Sequence, residues 1–268
     1  MNPQDIAIEV VSVLGRNVQI APFSSRVDGF DVEAAYRVTP EVRALRVARG
    51  ERPIGRKIGF TNRTIWAEYG VWAPIWGYVY DRTVRDMPTG SGELQLAALA
   101  EPRIEPEIVF GLRAAPAHGM DDASLLGCIE WVAHGFEIVQ SIYPGWKFAA
   151  ADTVAAYGLH GALLIGPRHD VASRRAEWLS TLGSFDIDLL RDGEVMDRGR
   201  AANVLDGPVS TLSHVVAVLA RDPVNPPLAA GEIVTTGTLT RALPIVPGET
   251  WTTALRGVAL PALSVRFS

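Results

Sequence analysis

The chain has 268 residues, of which 48% are hydrophobic and 21% are charged, the proportions of an ordinary globular protein. This composition excludes a wholly disordered chain, a collagen-like repeat and a long coiled coil. The net charge is −5 and no basic run stands out, so we expect no nucleic-acid partner, because phosphate binding needs clustered Lys and Arg.

The first third of the sequence has the spacing of helices. Asn2 is a suitable cap with a proline behind it, and apolar residues then recur at helical spacing up to Gly15. A second helical stretch runs over 31–37, and a third opens with a Thr-Pro pair and covers 39–50. Residues 1–53 are therefore predicted to form a helical N-terminal segment.

From residue 54 onward, glycines, aromatics and β-branched residues predominate, which favours strands and turns. The predicted strands are 57–61, 78–80, 104–112, 136–140, 162–165, 185–190, 232–236, 250–255 and 263–267. An Asp-Gly pair at 192–193 predicts a hairpin turn, and helices are predicted over 122–133 and 210–220. We therefore predict an α+β protein with one catalytic domain over residues 54–268.

The single cysteine, Cys128, cannot form an internal disulfide and supplies no cysteine-based metal motif. It lies in an apolar stretch, where a buried packing role is predicted. The N-terminus lacks the basic start and apolar core of a signal peptide, and no apolar run reaches the ~18 residues of a membrane span. We therefore expect a cytoplasmic protein with no membrane partner.

Two acidic residues fall on one predicted strand. Glu105 and Glu107 are two positions apart, so their side chains point to the same face. Two carboxylates in an apolar strand repel each other unless a positive group lies between them, and a hard divalent cation meets that need. The alternative is an edge strand that leaves both carboxylates in water.

A third acid, Glu137, occupies the centre of another short apolar strand. If the predicted helix over 122–133 serves as a crossover between neighbouring strands, Glu137 lies beside the first pair. Three convergent carboxylates form a metal site with positions open for water or substrate. The alternative is a buried Glu137 paired with an arginine, and the residues alone leave both interpretations open.

Lys57 is flanked by glycines and apolar residues on a predicted strand. Partial burial would lower its pKa and make it a proton donor and acceptor, whereas the alternative is an ordinary surface lysine. Near the C-terminus, the Thr-rich strand end at 235–240 offers hydroxyls and backbone amides that suit a small carboxylate. No histidine has a recognisable ligand or triad spacing; His134 is expected at a helix end and His214 on a helix face.

Several segments carry a family resemblance when they are taken in order. They are 55–61 (Gly-Arg-Lys-Ile-Gly-Phe-Thr), 105–107 (Glu-Pro-Glu), 136–139 (Phe-Glu-Ile-Val), 152–155 (Asp-Thr-Val-Ala), and the tail segments 237–240 and 246–249. Together they resemble the 2-keto-4-pentenoate hydratase / 4-oxalocrotonate decarboxylase branch of the fumarylacetoacetate hydrolase superfamily. The resemblance extends over essentially the whole chain.

The resemblance implies a β-roll, a mixed and strongly curved sheet surrounded by helices. It implies Mg²⁺ or Mn²⁺ held by Glu105, Glu107 and Glu137, with Lys57 moving a proton between enol and keto forms. The implied reaction adds water to a 2-hydroxy-2,4-dienoate or related 2-oxo acid through a metal-bound enolate, in a homo-oligomer. The alternatives are a 2-oxo acid decarboxylase or C–C hydrolase on the same metal, or a noncatalytic homologue that binds a small acid.

Two segments depart from the branch pattern. Residues 156–160 read Ala-Tyr-Gly-Leu-His where hydratases typically read Asp-Asn-Ala-Ser, and 74–77 read Pro-Ile-Trp-Gly where the branch reads Pro-Asp-Phe-Gly. These changes indicate a bulkier or more apolar substrate, or a different second step. His160 is a candidate acid or base, with a structural histidine as the alternative. The predicted substrate-binding residues are Phe60, Trp76, Asp152, Tyr157, Leu159, Thr238 and Thr240.

Overall fold

The computed structural model describes residues 1–268, with the side chains of Ile65, Glu68 and Tyr69 left out of the description. The helices are α1 Pro3–Val13, α2 Val32–Ala48, α3 Trp66–Tyr69, α4 Asp122–Gly127, α5 Ala150–Ala155, α6 Arg175–Thr181 and α7 Pro208–Leu219. The strands are β1 Pro53–Gly59, β2 Ile75–Tyr80, β3 Val84–Asp86, β4 Ser91–Leu94, β5 Arg103–Leu112, β6 Ile129–Val139, β7 His160–Ile165, β8 His169–Asp170, β9 Asp186–Arg191, β10 Glu194–Arg200, β11 Ile233–Thr235, β12 Leu243–Pro244, β13 Thr250–Arg256 and β14 Ser264–Phe267. In the described part of the chain, every helix is too short or too polar to reach across a membrane.

The N-terminal helices follow the sequence signals with one exception. Asn2 caps α1 by accepting a hydrogen bond from the backbone N of Asp5 at 2.8 Å. The two helices expected over 31–37 and 39–50 are instead one continuous helix, α2, with Pro40 inside it. Proline in a helix costs about 3 kcal/mol, and burial of the α2 face that contains Val38 and Val42 offsets this cost.

The larger sheet contains the residues expected to carry chemistry. Its strand order is β2-β1-β11-β5-β6-β7-β3, with β12 paired to β5 and β8 paired to β6, and it curls into a half-barrel. Strands β5 and β6 are antiparallel neighbours at its centre, and Glu105 lies directly opposite Glu137. The smaller sheet has the order β10-β9-β13-β14-β4, and the predicted turn at 192–193 joins β9 to β10.

The helix predicted over 122–133 is wrong in its second half. Helix α4 ends at Gly127, and residues 129–133 belong to β6, which pairs antiparallel with β5 and is not reached by a crossover. A short apolar run fits a buried strand as well as a helix, and here pairing between two neighbours decides for the strand. His134 accordingly lies inside β6 and not at a helix end, while Cys128 is buried as predicted.

Helices α1 and α2 pack with α5 around one apolar cluster that includes Val10, Val38, Tyr143 and Val154. A second cluster lies between the larger sheet and α4, α6 and α7, and a third fills the space between the two sheets. The mixture of curved sheet and packed helices confirms the α+β class. Helix α5 lies within residues 54–268 and packs against α1 and α2 of the N-terminal segment. The domain boundary at residue 53 stays a prediction.

Candidate metal centre and its cavity

Three carboxylates converge at the centre of the larger sheet. Glu105 and Glu107 share one face of β5, and Glu137 comes from the adjacent strand β6. One oxygen from each lies within 4.8 Å of the other two. Glu107 and Glu137 are fully buried, while Glu105 is half-buried at the wall of a cavity. The antiparallel register therefore brings Glu137 beside the pair of acids that the sequence placed on one strand.

Polar groups from two other segments, at Gly237 and Lys57, contact these carboxylates. The backbone N of Gly237 donates to Glu107 Oε2 at 2.7 Å. Lys57 Nζ lies 3.1 Å from Glu137 Oε2 and donates to the backbone O of Gly158 at 3.0 Å. In the described part of the chain, Glu107 Oε1 is buried and accepts no hydrogen bond. One oxygen of Glu107 is thus buried without a donor.

Burial and mutual repulsion set the protonation of the three acids. Burial, followed by the charge of Glu137, raises the pKa of Glu105 to about 7. Burial and the charges of Glu137 and Glu105 hold the pKa of Glu107 well above its usual range. Burial acts in the same direction on Glu137, but the Lys57 ammonium and a hydrogen bond from His160 outweigh it and lower the pKa of Glu137 to about 2.

The pKa of Lys57 moves opposite to the direction expected from the sequence. Burial alone lowers it, but the charges of Glu137, Glu105 and Glu107 outweigh burial, so the pKa of Lys57 is raised. The expectation of a lowered pKa considered burial without the neighbouring acids. Lys57 is therefore an ammonium ion in this charge environment.

The cluster fits a hard divalent cation. Ionisation of all three carboxylates beside the Lys57 ammonium gives the buried group a net charge of −2, which the raised pKa values of Glu105 and Glu107 oppose when no cation is bound. Such a charge is costly in the interior unless an opposite charge compensates it. The ligand atoms are all oxygens, which Mg²⁺ and Mn²⁺ prefer, and the donorless Glu107 Oε1 points to a missing positive partner.

A cavity of about 190 Å³ opens beside this cluster. Its lining residues are Lys57, Ile58, Gly59, Phe60, Thr61, Asn62, Ile75, Arg103, Glu105, Val139, Trp146, Phe148, Thr153, Gly158, Leu159, Gly237, Thr238 and Ala242. Glu105 and Lys57 supply a carboxylate and an ammonium to the cavity lining, and aromatic and aliphatic side chains make up much of the remaining wall. Arg103 adds a second cation, with its guanidinium carbon 4.0 Å from the centre of the Trp146 ring.

Comparison with known proteins finds relatives along most of the chain, although no protein-family model matches it. The chain is 32% identical to 4-oxalocrotonate decarboxylase from Pseudomonas sp. (strain CF600), over 87% of this chain and 84% of that protein. It is 29% identical to 2-hydroxyhexa-2,4-dienoate hydratase from Comamonas testosteroni, over 93% of this chain and 91% of that protein. The chain belongs to the hydratase and decarboxylase branch of the fumarylacetoacetate hydrolase superfamily.

Solved structures support the same placement. The 4-oxalocrotonate decarboxylase from Pseudomonas putida G7, complexed with magnesium and adipate, superposes with a TM-score of 0.88 at 25% identity, over 99% of this chain and 97% of that one. Fumarylpyruvate hydrolase from Pseudomonas aeruginosa, in complex with Mn²⁺ and pyruvate, shares the fold with a TM-score of 0.57 at 18% identity, over 80% and 88% of the two chains. The predicted fold is confirmed, and this branch member is an enzyme of the metal-dependent hydratase and decarboxylase class.

In this protein, only some of the predicted substrate-binding residues line the cavity. Phe60, Leu159 and Thr238 do so. Trp76 does not, because side chains alternate along β2: Ile75 faces the cavity while the Trp76 ring stacks on Tyr36.

Three further predicted contacts lie away from the cavity. The Asp152 carboxylate accepts hydrogen bonds from the backbone N and the hydroxyl of Ser24 and from the backbone N of Ala149, at the start of α5. The ring of Tyr157 lines a separate small cavity, and Thr240 donates its hydroxyl to the backbone O of Arg241. His160 is buried behind Glu137 and also lies outside the lining.

Several cavity residues were missed at the level of sequence. Ile75 precedes Trp76, and Thr153 follows Asp152, two residues that the sequence predicts to bind substrate. Knowledge of which face of the strand or helix lines the cavity is enough to identify Ile75 and Thr153. Arg103 is two positions before Glu105 on β5, so both side chains lie on the same face of the strand. This spacing was the sequence signal that could have identified Arg103. The amide of Gly237, expected to suit a substrate carboxylate, donates instead to the carboxylate of Glu107.

Proposed function

We propose that this protein is a divalent-metal-dependent hydro-lyase that adds water to a 2-hydroxy-2,4-dienoate or a related 2-oxo acid. The observation that carries the proposal is the convergence of Glu105, Glu107 and Glu137 within 4.8 Å, beside Lys57 and a cavity of about 190 Å³. The curated relatives include a hydratase that matches over 93% of this chain. Glu105, Glu107 and Glu137 would hold Mg²⁺ or Mn²⁺.

A divalent cation in this position supplies Lewis-acid chemistry: it polarises a 2-oxo group and stabilises the negative charge of an enolate. The protein's part is to fix three oxygen ligands before substrate arrives. Gly237 holds Glu107 through a backbone amide, and β-pairing holds Glu105 opposite Glu137. This preorganisation avoids rearranging the ligands during the reaction.

Lys57 is the proton carrier in this proposal. Hydration of a conjugated 2-oxo acid forms a new C–H bond at C3, so an acid must reach that carbon. Lys57 Nζ is anchored by the Gly158 carbonyl and by Glu137, and it lines the cavity. The neighbouring acids raise the pKa of Lys57, so its side chain is protonated and able to donate.

The apolar wall of the cavity would receive the end of the substrate distant from its 2-oxo acid group. Phe60, Ile75, Trp146, Phe148 and Leu159 surround this space. They exclude bulk water and favour an aliphatic or aromatic substituent on the diene. The branch pattern has an acid at the position of Ile75, and its replacement by an apolar side chain supports the same substrate preference.

A second candidate function, decarboxylation of a 2-oxo dicarboxylic acid, is favoured by Arg103. Arg103 lines the cavity on the strand that also carries Glu105, and its guanidinium packs on the Trp146 ring. A positive charge in the lining would attract a second substrate carboxylate. The Pseudomonas putida G7 decarboxylase, complexed with the dicarboxylate adipate, superposes over 99% of this chain.

The two functions separate in one assay. Protein freed of metal by a chelator is supplied with Mg²⁺ or Mn²⁺ and is assayed in parallel with 2-hydroxyhexa-2,4-dienoate and with 4-oxalocrotonate. Metal-dependent loss of the dienoate ultraviolet absorbance supports hydration, whereas CO₂ release from the dicarboxylate supports decarboxylation. Glu107→Ala is the inactive comparison, and Glu93→Ala, which removes an exposed acid on β4, is its matched control. No turnover with either substrate would overturn both and favour a noncatalytic acid-binding protein.

Assembly is proposed from the family resemblance, and location from the expectation drawn from the sequence. We propose a homo-oligomer located in the cytoplasm, acting on a small-molecule acid. Light scattering of the purified protein tests the assembly, because a mass near that of one chain contradicts it. Fractionation of cells that produce the protein tests the location.

A further inference from the structure

The ring of His160 lies behind the metal centre and not in its cavity. His160 is the first residue of β7 and is fully buried. Its Nδ1 lies 2.8 Å from Glu137 Oε1, and its Nε2 lies 2.8 Å from the Thr83 hydroxyl. The imidazole therefore contacts the carboxyl group of Glu137, one of the three candidate ligands, while His160 itself does not line the cavity.

The chemistry of the partners fixes the direction of this hydrogen bond. An ionised carboxylate oxygen only accepts, so Nδ1 must carry the proton and donate to Glu137 Oε1. The Thr83 hydroxyl donates to the backbone O of Tyr80 at 2.9 Å, and its oxygen lies 2.8 Å from Nε2 of His160. The imidazole is therefore held at both nitrogens, with Nδ1 directed at Glu137 Oε1.

The two oxygens of the Glu137 carboxylate have different partners. Oε1 is occupied by His160, whereas Oε2 lies 3.1 Å from Lys57 Nζ. We propose that His160 is a positioning residue, which donates from Nδ1 to Glu137 Oε1 and thereby holds this carboxylate ready to bind a divalent cation. The inference rests on the metal site of the proposed function but not on the reaction that follows.

A second buried histidine provides a matched control. His134 lies on β6, three residues before Glu137, and its ring is also hydrogen-bonded at both nitrogens. Its partners are the backbone O of Glu107 and the Thr253 hydroxyl, at 2.9 and 3.0 Å, so no carboxylate oxygen depends on it. Replacing His134 therefore removes a buried imidazole near the site without releasing a candidate ligand.

The test measures metal affinity in the absence of substrate. Each protein is freed of metal with a chelator, the chelator is removed, and the protein is titrated with Mn²⁺. Free Mn²⁺ is followed by electron paramagnetic resonance. His160→Leu should weaken Mn²⁺ binding by about 10–100-fold, the usual cost of losing a residue that orients a ligand. His160→Asn, whose side-chain NH₂ takes the place of Nδ1–H, should stay within a few-fold of the parent protein, and His134→Leu should match the parent.

The outcomes separate this inference from the proposed function. Equal Mn²⁺ affinity in folded His160→Leu and parent protein would overturn the positioning role alone. Absence of Mn²⁺ binding by the parent would overturn the metal centre and this inference together, whereas tight binding without turnover would overturn only the proposed reaction. If His160→Leu does not fold, His160→Gln replaces it: its NH₂ is one methylene farther out, so affinity equal to that of His160→Asn would overturn the role.

Discussion

Two buried charged regions of this molecule differ in one respect, the balance of charge. Near α2 and β1, Arg46 pairs with Glu51 at 2.6 Å and Arg56 pairs with Glu232 at 3.0 Å. Each guanidinium has one carboxylate, and that of Arg46 also lies 3.6 Å from the centre of the Tyr80 ring. These pairs balance their charges within the chain and join helix, strand and loop, although Arg46 Nη1 and Arg56 Nε have no hydrogen-bond partner among the described residues.

The metal centre has the opposite character. Its three carboxylates face a single ammonium, that of Lys57, and one oxygen of Glu107 has no donor among the described residues. A balanced buried pair is a structural device, whereas an excess of like charge held in place by the fold indicates a site that awaits a ligand. Four predictions test whether the two regions differ in this way.

The largest effect is expected from Glu107→Ala, which removes one of three ligands. Mn²⁺ binding should be lost over the range where the parent protein binds, and turnover should be lost with it. The metal-free variant should keep its free energy of unfolding, because Glu107 is repelled by Glu137 and Glu105 in the parent. Mn²⁺ titration together with urea unfolding measures both, and retained metal affinity would contradict the assignment of Glu107 as a ligand.

Lys57→Ala should separate metal binding from proton transfer. Removing the ammonium leaves the three oxygens in place, so metal affinity should be equal to or greater than that of the parent. Exchange of the C3 protons of a 2-oxo acid should fall by about 10²–10⁴-fold, the usual contribution of a positioned acid or base. Deuterium exchange in the Mg²⁺-loaded protein, followed by nuclear magnetic resonance, is the measurement. An unchanged rate would exclude Lys57 as the proton carrier.

Glu51→Gln tests the balanced region by leaving Arg46 buried without its carboxylate. The free energy of unfolding should fall by about 3–5 kcal/mol, because an uncompensated buried charge remains. Mn²⁺ affinity of the folded variant should not change, since the pair lies outside the cavity lining. Urea unfolding measures the loss, and a loss below about 1 kcal/mol would place this pair with weak surface ion pairs.

The smallest effect is stabilisation by the metal itself. Mn²⁺ at about 100 times its Kd should add about 2.7 kcal/mol to the free energy of unfolding, because it binds the folded state preferentially. Glu51→Gln should gain the same increment and Glu107→Ala should gain none. Thermal unfolding with and without chelator measures the difference. An equal increment in Glu107→Ala would assign the stabilising site elsewhere.

Local patterns predicted much of the fold, and the failures have physical causes. The Asn2 cap and the period-2 placement of Glu105 and Glu107 depend on neighbours in sequence, and both are present in the structure. The break expected at Pro40 is absent, because side-chain burial along α2 offsets the lost hydrogen bond. The helix expected over 122–133 failed because its apolar second half pairs with β5.

The amino-acid sequence shows which groups are available: three acids on apolar strands, a lysine between glycines, and Ile75 where the branch pattern has an acid. The folded chain is needed to show that the acids share one centre and that their charges raise the pKa of Lys57. It also placed His160 behind Glu137 and turned Trp76 away from the cavity. Strand register and side-chain direction bring distant residues into contact, and electrostatic forces act through those distances, which no local pattern in the chain specifies.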